Sequence, residues 1–309
     1  MTMSLFFMQI RPEDIVQVGS LDLLARKAVE GFITGYHKSP FQGYSVEFAE
    51  HRPYHAGENT KNIDWKLFAR TGKLYNKYFD EETNLRCHFL IDVSPSMQIN
   101  HMGLLSKLQF SIILSASFME ILRKQRDASS LCFFDEGVRE FTKVSSSTRH
   151  YKELLFKLES YLSYASNKRT TDVSETIHQI ANQINRRGLV VLFTDFFEKE
   201  QSLERLFDAI RHLKHQKHEV IIFHVLHDDT ELNFDFGNTP IKVEDSESGE
   251  ILKLLPQEMK DEYRKRVAEY NERLVSEFNQ NKIDYVPVDI AQPVEEIILP
   301  FLMKRKKMR

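Results

Sequence analysis

The sequence is poor in cysteine and has no long apolar run. Its two cysteines, Cys87 and Cys132, lie apart in apolar stretches, without the spacing of a zinc site or of a disulfide framework. The most apolar helical segment, residues 110–122, contains several serines and Glu120, and it is too short to span a membrane. The short apolar run at the N-terminus lacks the basic segment that precedes it in a signal peptide. These absences predict a cytoplasmic protein with no integral membrane segment.

An excess of one charge and the common catalytic motifs are also missing. The 42 Lys and Arg residues nearly balance the 45 Asp and Glu residues, so no nucleic-acid partner is predicted. The sequence contains neither a phosphate-binding P-loop nor a dinucleotide-binding Gly-x-Gly-x-x-Gly motif. It also lacks the Gly-x-Ser-x-Gly turn that presents a nucleophilic serine. We therefore expect that the protein is not an enzyme.

From Leu85 onward, apolar strand-like runs alternate with amphipathic helical stretches. The run Leu189–Phe193 is continuously apolar, which is typical of a central parallel strand buried on both faces. This alternation predicts a doubly wound α/β fold with a mostly parallel, six-stranded sheet. The predicted strands are Cys87–Asp92, Ser129–Phe134, Val138–Val144, Leu189–Thr194, Glu219–Leu226 and Asp284–Val288. The predicted helices are Leu104–Arg126, His150–Leu162, Val173–Arg187, Gln201–Lys214, Pro256–Asn279 and Val294–Lys304.

Residues 1–84 lack this alternation. They predict an N-terminal extension with a helix over Leu21–Thr34 and strands over Tyr44–His51 and Lys73–Phe79. We expect this extension to pack on an α/β domain formed by residues 85–309.

Two local patterns in the α/β domain predict a hairpin and the end of a helix. The segment Ile241–Leu255 has Ser and Gly at its centre, which predicts a hairpin. Gly188 directly follows the predicted helix Val173–Arg187, where a glycine commonly ends a helix in the left-handed conformation.

Two carboxylates end neighbouring strands of the predicted sheet. Asp92 ends the first strand of the α/β domain, and Asp195 follows the fourth. In the doubly wound strand order 3-2-1-4-5-6, these two strands are adjacent at the point where the order reverses. Ligands bind at the carboxyl ends of the strands at that point, so we expect both carboxylates to line one crevice.

Hydroxyl groups accompany these carboxylates. Ser94 and Ser96 lie in the turn after Asp92, and a loop ending in Arg169-Thr-Thr-Asp172 precedes the next helix. Carboxylates and hydroxyls are hard oxygen ligands that suit Mg²⁺, Mn²⁺ or Ca²⁺. Each Ser, Thr or Asp taken alone is explained as well by helix capping. Their joint occurrence after both strands favours a metal site.

The pattern Asp92-x-Ser94-x-Ser96, a threonine in the middle loop and Thr194-Asp195 resembles the metal-ion-dependent adhesion site of von Willebrand factor A domains. The resemblance implies the fold of that domain. It also implies that Ser94, Ser96 and Thr171 contact the ion directly, and that Asp92 and Asp195 contact it directly or through water.

A second resemblance covers the N-terminal half. It is to the domain-of-unknown-function family 58, whose bacterial members are often encoded beside MoxR-type AAA+ ATPases. The sequence departs from the family at Glu58-Asn59, where an acidic pair is usual. The residues that carry the resemblance are Gly43-Tyr-Ser-Val-Glu-Phe48, Arg52, Tyr54, Gly57, Ile63-Asp-Trp65 and Ala69-Arg70.

Together these patterns predict a metal-dependent protein-interaction module. Its expected partners are a MoxR-type ATPase and a client protein that offers an acidic side chain to the ion. One alternative is a Mg²⁺-dependent phosphohydrolase using Asp92, although Ser94 then stands where such enzymes need a second carboxylate. Another is a scaffold of the same fold that binds partners without metal.

Overall fold

The computed structural model describes residues 20–35, 48–54, 60, 63–79, 85–99, 103–165, 173–196, 202–237, 240–244 and 251–298. The chain divides into two compact units. The first comprises residues 1–35 and 85–309, and the second comprises residues 36–84. The helix of the predicted N-terminal extension thus belongs to the unit that holds the α/β sheet, while the extension's strands belong to the second unit.

The helices and strands follow one another in a regular order along the described chain. They are α1 (Leu21–Gly35), β1 (Phe48–Pro53), α2 (Trp65–Thr71), β2 (Tyr75–Phe79), β3 (Arg86–Asp92), α3 (Lys107–Lys124), β4 (Ala128–Phe134), β5 (Val138–Phe141), α4 (Thr148–Tyr161), α5 (Ser174–Gln183), β6 (Leu189–Thr194), α6 (Leu203–His215), β7 (Glu219–Leu226), β8 (Ile241–Glu244), β9 (Ile251–Leu254), α7 (Pro256–Gln280) and β10 (Asp284–Asp289).

Six strands of the first unit form one sheet in the order β10-β7-β6-β3-β4-β5. All neighbours are parallel except β5, which pairs antiparallel with β4 at the edge. The strand order reverses at β3, which lies between β4 and β6. The predicted doubly wound, mostly parallel, six-stranded sheet is therefore confirmed.

Helix α3 is the most deeply buried helix of the described chain. Its residues from Lys107 to Leu122 are buried almost without interruption, so other elements cover it on more than one side. Helix α1 packs against it and buries small and aliphatic side chains such as Leu24, Ala25 and Ala28. Two hydrogen bonds join α1 to α4: the Leu21 amide donates to Glu159, and the Tyr151 hydroxyl donates to Asp22.

The second unit contains the antiparallel pair β1–β2 and the short helix α2. Asp64 caps α2, because its side chain accepts hydrogen bonds from the amides of Lys66 and Leu67 at 3.0 Å. The helix ends at Gly72, which adopts the left-handed conformation with φ 65°. The neighbouring Trp65 is 60% exposed.

Several predicted boundaries shift by a few residues for identifiable reasons. Helix α3 begins three residues later than predicted, because Ser106 and Gln109 form a capping box at its start. The hairpin is present as β8 and β9, although its central turn lies outside the described residues. The last predicted helix is seen over residues 294–298, and its remainder also lies outside the described residues.

The predicted role of Gly188 as a helix terminator is wrong. Helix α5 already ends at Gln183, and Gly188 instead precedes β6. A Cβ atom at Gly188 would lie 2.5 Å from the backbone oxygen of Arg86, at the start of the neighbouring strand β3. Glycine is needed here because two backbones approach closely.

No helix in the described ranges is long and apolar enough to cross a membrane.

We predict that Gly188→Ala lowers the free energy of unfolding by about 1–3 kcal/mol, because strands β3 and β6 must separate to admit the methyl group. Gly137→Ala is the matched control, since a Cβ atom there meets nothing within 4 Å. Urea denaturation of both variants measures the difference. Equal midpoints for the two variants would show that the approach at Gly188 is not tight.

Candidate functional site

Four of the five predicted site residues lie at the carboxyl ends of β3 and β6. Asp92 is the last residue of β3, and Asp195 directly follows β6. Ser94 and Ser96 belong to the turn after β3, where residues Pro95–Gln98 form a 3₁₀ turn. We call Asp92, Ser94, Ser96 and Asp195 the switch-point crevice. The fifth predicted residue, Thr171, lies outside the described residues.

The Asp92 carboxylate is buried and held from two sides. Its Oδ1 accepts a hydrogen bond from the Ser94 amide at 2.9 Å, and its Oδ2 accepts one from the Thr194 hydroxyl at 2.7 Å. The register pairs Ile91 with Phe193, so Asp92 and Thr194 follow on neighbouring strands. These hydrogen bonds fix the orientation of the carboxylate before any ligand arrives.

The two serine hydroxyls of the switch-point crevice face each other. Their Oγ atoms are 3.1 Å apart. Ser94 occupies the N-cap position of the 3₁₀ turn but makes no side-chain capping hydrogen bond. The Gln98 side-chain amide instead holds this turn by donating to the carbonyl oxygens of Val93 and Ser94. Capping therefore does not explain the hydroxyl of Ser94.

Asp195 is paired with a lysine that sequence reasoning did not identify. The Nζ atom of Lys107 lies 2.6 Å from Asp195 Oδ2 and 2.6 Å from Glu231 Oε1. Lys107 is the first residue of α3 and only 1% of its side chain is exposed. Glu231 belongs to the turn Asp228–Leu232 that follows β7.

A signal for Lys107 was present in the sequence, but none was present for Glu231. A lysine in the first turn of an apolar helix is unfavourable, because the helix N-terminus carries partial positive charge. In a doubly wound fold the helix after the first strand begins at the same sheet edge as Asp92, so a buried partner was to be expected there. Glu231 stands in the acidic run Asp228-Asp-Thr-Glu231, which is typical of a solvated loop.

The backbone at Asp195 is also held by buried side chains. His224 Nε2 donates to the carbonyl oxygen of Asp195 at 2.9 Å. The other ring nitrogen, Nδ1, must then accept a hydrogen bond from the Tyr285 hydroxyl. Burial lowers the pKa of His224 to about 4, so the ring is neutral and this arrangement is stable at physiological pH.

The charges in the switch-point crevice influence one another. Burial and the negative charge of Asp195 raise the pKa of Asp92 to about 7, and the hydrogen bonds from Ser94 and Thr194 oppose this rise. Burial also disfavours the charged form of Lys107, but Asp195 and Glu231 together raise its pKa above the ordinary value. The switch-point crevice thus holds two carboxylates that repel each other, with the Lys107 ammonium beside one of them.

The family model described as "Protein of unknown function DUF58" matches residues 50–273. The chain belongs to this family. The predicted family resemblance is thereby confirmed. Two relatives are the uncharacterized protein Rv1480 of Mycobacterium tuberculosis and the uncharacterized protein Mb1516 of Mycobacterium bovis. Each is 22% identical to this DUF58 chain over 242 residues, which cover 78% of the chain and 73% of the relative.

Two solved structures are similar to this DUF58 chain. One is the conserved hypothetical protein BatB from Bacteroides thetaiotaomicron, with a TM-score of 0.45 and 18% identity, covering 72% of this chain and 99% of BatB. The other is an aerotolerance-related membrane protein from Bacteroides fragilis, with a TM-score of 0.43 and 17% identity, covering 71% of this chain and 99% of that protein. The strand order and pairings of the six-stranded sheet establish the fold of this chain.

The oxygen atoms of the switch-point crevice fit a hard divalent cation. Two adjacent ligands of an octahedral Mg²⁺ with bonds of about 2.0–2.1 Å lie about 2.9 Å apart. The Ser94 and Ser96 hydroxyls, at 3.1 Å, are close to this separation. In the described part of this DUF58 chain, no three His, Cys, Asp or Glu side chains are grouped as a metal site. A cation here would therefore depend on the hydroxyls as well as on Asp92.

We predict that Asp92 makes stability fall with rising pH when chelator is present. Its folded-state pKa, about 7, is above its unfolded value of 3.8, so the folded state binds the extra proton between these values. Asp92→Asn should remove this dependence. The free energy of unfolding of the variant, relative to the unsubstituted protein, should then rise by roughly a few kcal/mol from pH 4 to pH 7. Chemical denaturation across this range measures the effect, and parallel profiles would contradict it.

Proposed function

We propose that the protein is a non-enzymatic interaction module that binds other proteins at the switch-point crevice. The hydroxyl pair of Ser94 and Ser96 carries this proposal. These hydroxyls lie beside a buried, oriented carboxylate, and the capping role that would otherwise explain Ser94 is not used. Such a group of oxygen atoms is suited to holding a cation on which a partner can dock.

The cation we propose is Mg²⁺, with Mn²⁺ or Ca²⁺ as substitutes. Ser94, Ser96 and Asp92 would hold it, and the resemblance to von Willebrand factor A domains adds Thr171 directly and Asp195 directly or through water. When bound, the ion supplies positive charge and a coordination position that accepts a carboxylate oxygen from a partner.

The residues around the crevice determine what kind of partner fits. Asp92 and Asp195 repel each other, and Glu231 adds a third carboxylate at the Lys107 ammonium. Without a divalent cation, this arrangement would repel an acidic side chain. An acidic partner therefore requires the ion, whereas a basic partner would bind without it.

The position two residues after Asp92 disfavours the phosphohydrolase alternative. It holds Ser94, whose hydroxyl cannot serve as the acid or base that such enzymes require.

The partners we propose follow from the family resemblance. Members of the DUF58 family are bacterial proteins that are often encoded beside MoxR-type AAA+ ATPases. We propose that this protein acts with such an ATPase in the assembly or maturation of a client protein. The acidic side chain at the ion would come from one of these two partners.

The first test is ion-dependent stabilisation. Mg²⁺ or Mn²⁺ should raise the melting temperature increasingly with concentration, because an ion that binds only the folded state stabilises it. The variant Ser94→Ala/Ser96→Ala should lose this gain, since it lacks two oxygen ligands.

The matched control for this test is Ser145→Ala/Ser147→Ala. Ser145 and Ser147 are also two residues apart with hydroxyls in hydrogen-bond contact, but they lie before α4. This variant should keep the gain, even though loss of the Ser147 cap lowers its starting melting temperature. An undiminished gain in Ser94→Ala/Ser96→Ala would exclude the proposed site.

The second test is partner binding. Titration calorimetry with a MoxR-type ATPase of the same organism, or with a client captured by the native protein, should show binding in Mg²⁺ and its loss in chelator. Thr171→Ala should weaken binding by at least ~2 kcal/mol if the ion forms a hot spot of the interface. Equal affinity in Mg²⁺ and in chelator would support the metal-free scaffold instead.

A further inference from the structure

Lys107 is the one residue of the described crevice region whose charge has no role in the proposed function. Its ammonium is almost completely buried and lies 2.6 Å from one oxygen of Asp195 and 2.6 Å from one oxygen of Glu231. Asp195 belongs to the proposed ligand set, so Lys107 already pairs with a carboxylate that a cation would use.

This placement of Lys107 is energetically costly. The residue begins α3, where the helix N-terminus disfavours positive charge, and burial removes the ammonium from water. Only close carboxylates can offset both costs. The lysine and the two carboxylates therefore depend on each other, and replacement of Lys107 alone removes the ammonium from both.

Glu231 prevents Lys107 from leaving the crevice. Its second oxygen, Oε2, accepts a hydrogen bond from the His227 amide at 2.9 Å, and its carbonyl oxygen accepts one from the Tyr263 hydroxyl at 2.9 Å. Glu231 is thus held both at its side chain and at its backbone. Lys107 cannot swing aside without breaking its ion pairs with Asp195 and Glu231.

We infer that Lys107 competes with the divalent cation for Asp195, an inference that rests on the metal site of the proposed function. With Asp195 held by the ammonium, the ion is bound by the hydroxyls and Asp92 without direct help from Asp195. The chain then neutralises less of the ion's charge. The affinity of the chain alone for the ion is consequently modest, and the bound ion attracts the carboxylate of a partner more strongly. Lys107 is a positioning residue that tunes the site through Asp195.

The test uses Mn²⁺ as the probe and measures its dissociation constant by equilibrium dialysis and electron paramagnetic resonance. Lys107→Met removes the charge at similar volume. It should lower the stability of the metal-free protein and bind Mn²⁺ roughly tenfold or more tightly, because a repelling charge is lost and a carboxylate is released. The double variant Lys107→Met/Asp195→Asn lacks the released carboxylate, so its affinity should return toward that of the unsubstituted protein.

A further variant covers the case in which Lys107→Met does not fold. Glu231→Gln removes one of the two carboxylates that pair with Lys107, which strengthens the remaining pair with Asp195. Mn²⁺ binding should then weaken, by roughly tenfold, because Asp195 is held more firmly and a negative charge near the crevice is lost. An unchanged Mn²⁺ affinity in Glu231→Gln would overturn the competition even without data from Lys107→Met.

The outcomes separate this inference from the proposed function. If the unsubstituted protein binds Mn²⁺ and its affinity is unchanged in Lys107→Met and in Glu231→Gln, the competition is overturned and the metal site is still supported. No binding by the unsubstituted protein, together with clear binding by Lys107→Met, supports the competition and overturns the metal dependence of the proposed function. If neither the unsubstituted protein nor Lys107→Met binds Mn²⁺, both the competition and the metal dependence of the proposed function are overturned.

Discussion

The parallel pairing of β3 with β6 is the interaction on which the switch-point crevice depends. It sets two strands side by side that are separated in sequence by α3, β4, β5, α4 and α5, and it places Asp92 beside Thr194. Both strands are buried on both faces along almost their whole length, so the sheet cannot slip without exposing its core. The polar groups at the strand ends are therefore held in position by hydrophobic packing that lies several residues away from them.

The convergence of Asp92 and Asp195 could be predicted from the sequence because it follows from counting strands. The strand order 3-2-1-4-5-6 is the usual order of doubly wound sheets, and continuous apolar runs such as Leu189–Phe193 indicate the central strands. No knowledge of side-chain geometry was needed for this step. The hydroxyls of Ser94 and Ser96 followed because they are tied to Asp92 by short sequence separation.

The Lys107–Asp195–Glu231 arrangement could not be predicted in the same way. Its members come from a helix start, a strand end and a turn, and the last of these is not fixed by any periodic pattern. Gly188 illustrates a similar limit. Its need for glycine comes from the backbone of Arg86, about a hundred residues earlier in the chain, whereas the sequence pattern suggested a local cause in the preceding helix. Contacts between distant segments decide such positions, and a single sequence does not display them.

The covering of α3 by α1 has a consequence for how the chain is made. Helix α1 emerges from the ribosome early, but the surface it covers is complete only after the second unit and α3 have been synthesised. The second unit is thus inserted between two parts of one folding unit. The apolar face of α1 therefore has no surface to pack against during translation until α3 has been synthesised. A fragment that starts at residue 85 would retain the whole switch-point crevice, yet it would expose to solvent the side of α3 that α1 covers. Recombinant production of the α/β body therefore requires that α1 be kept.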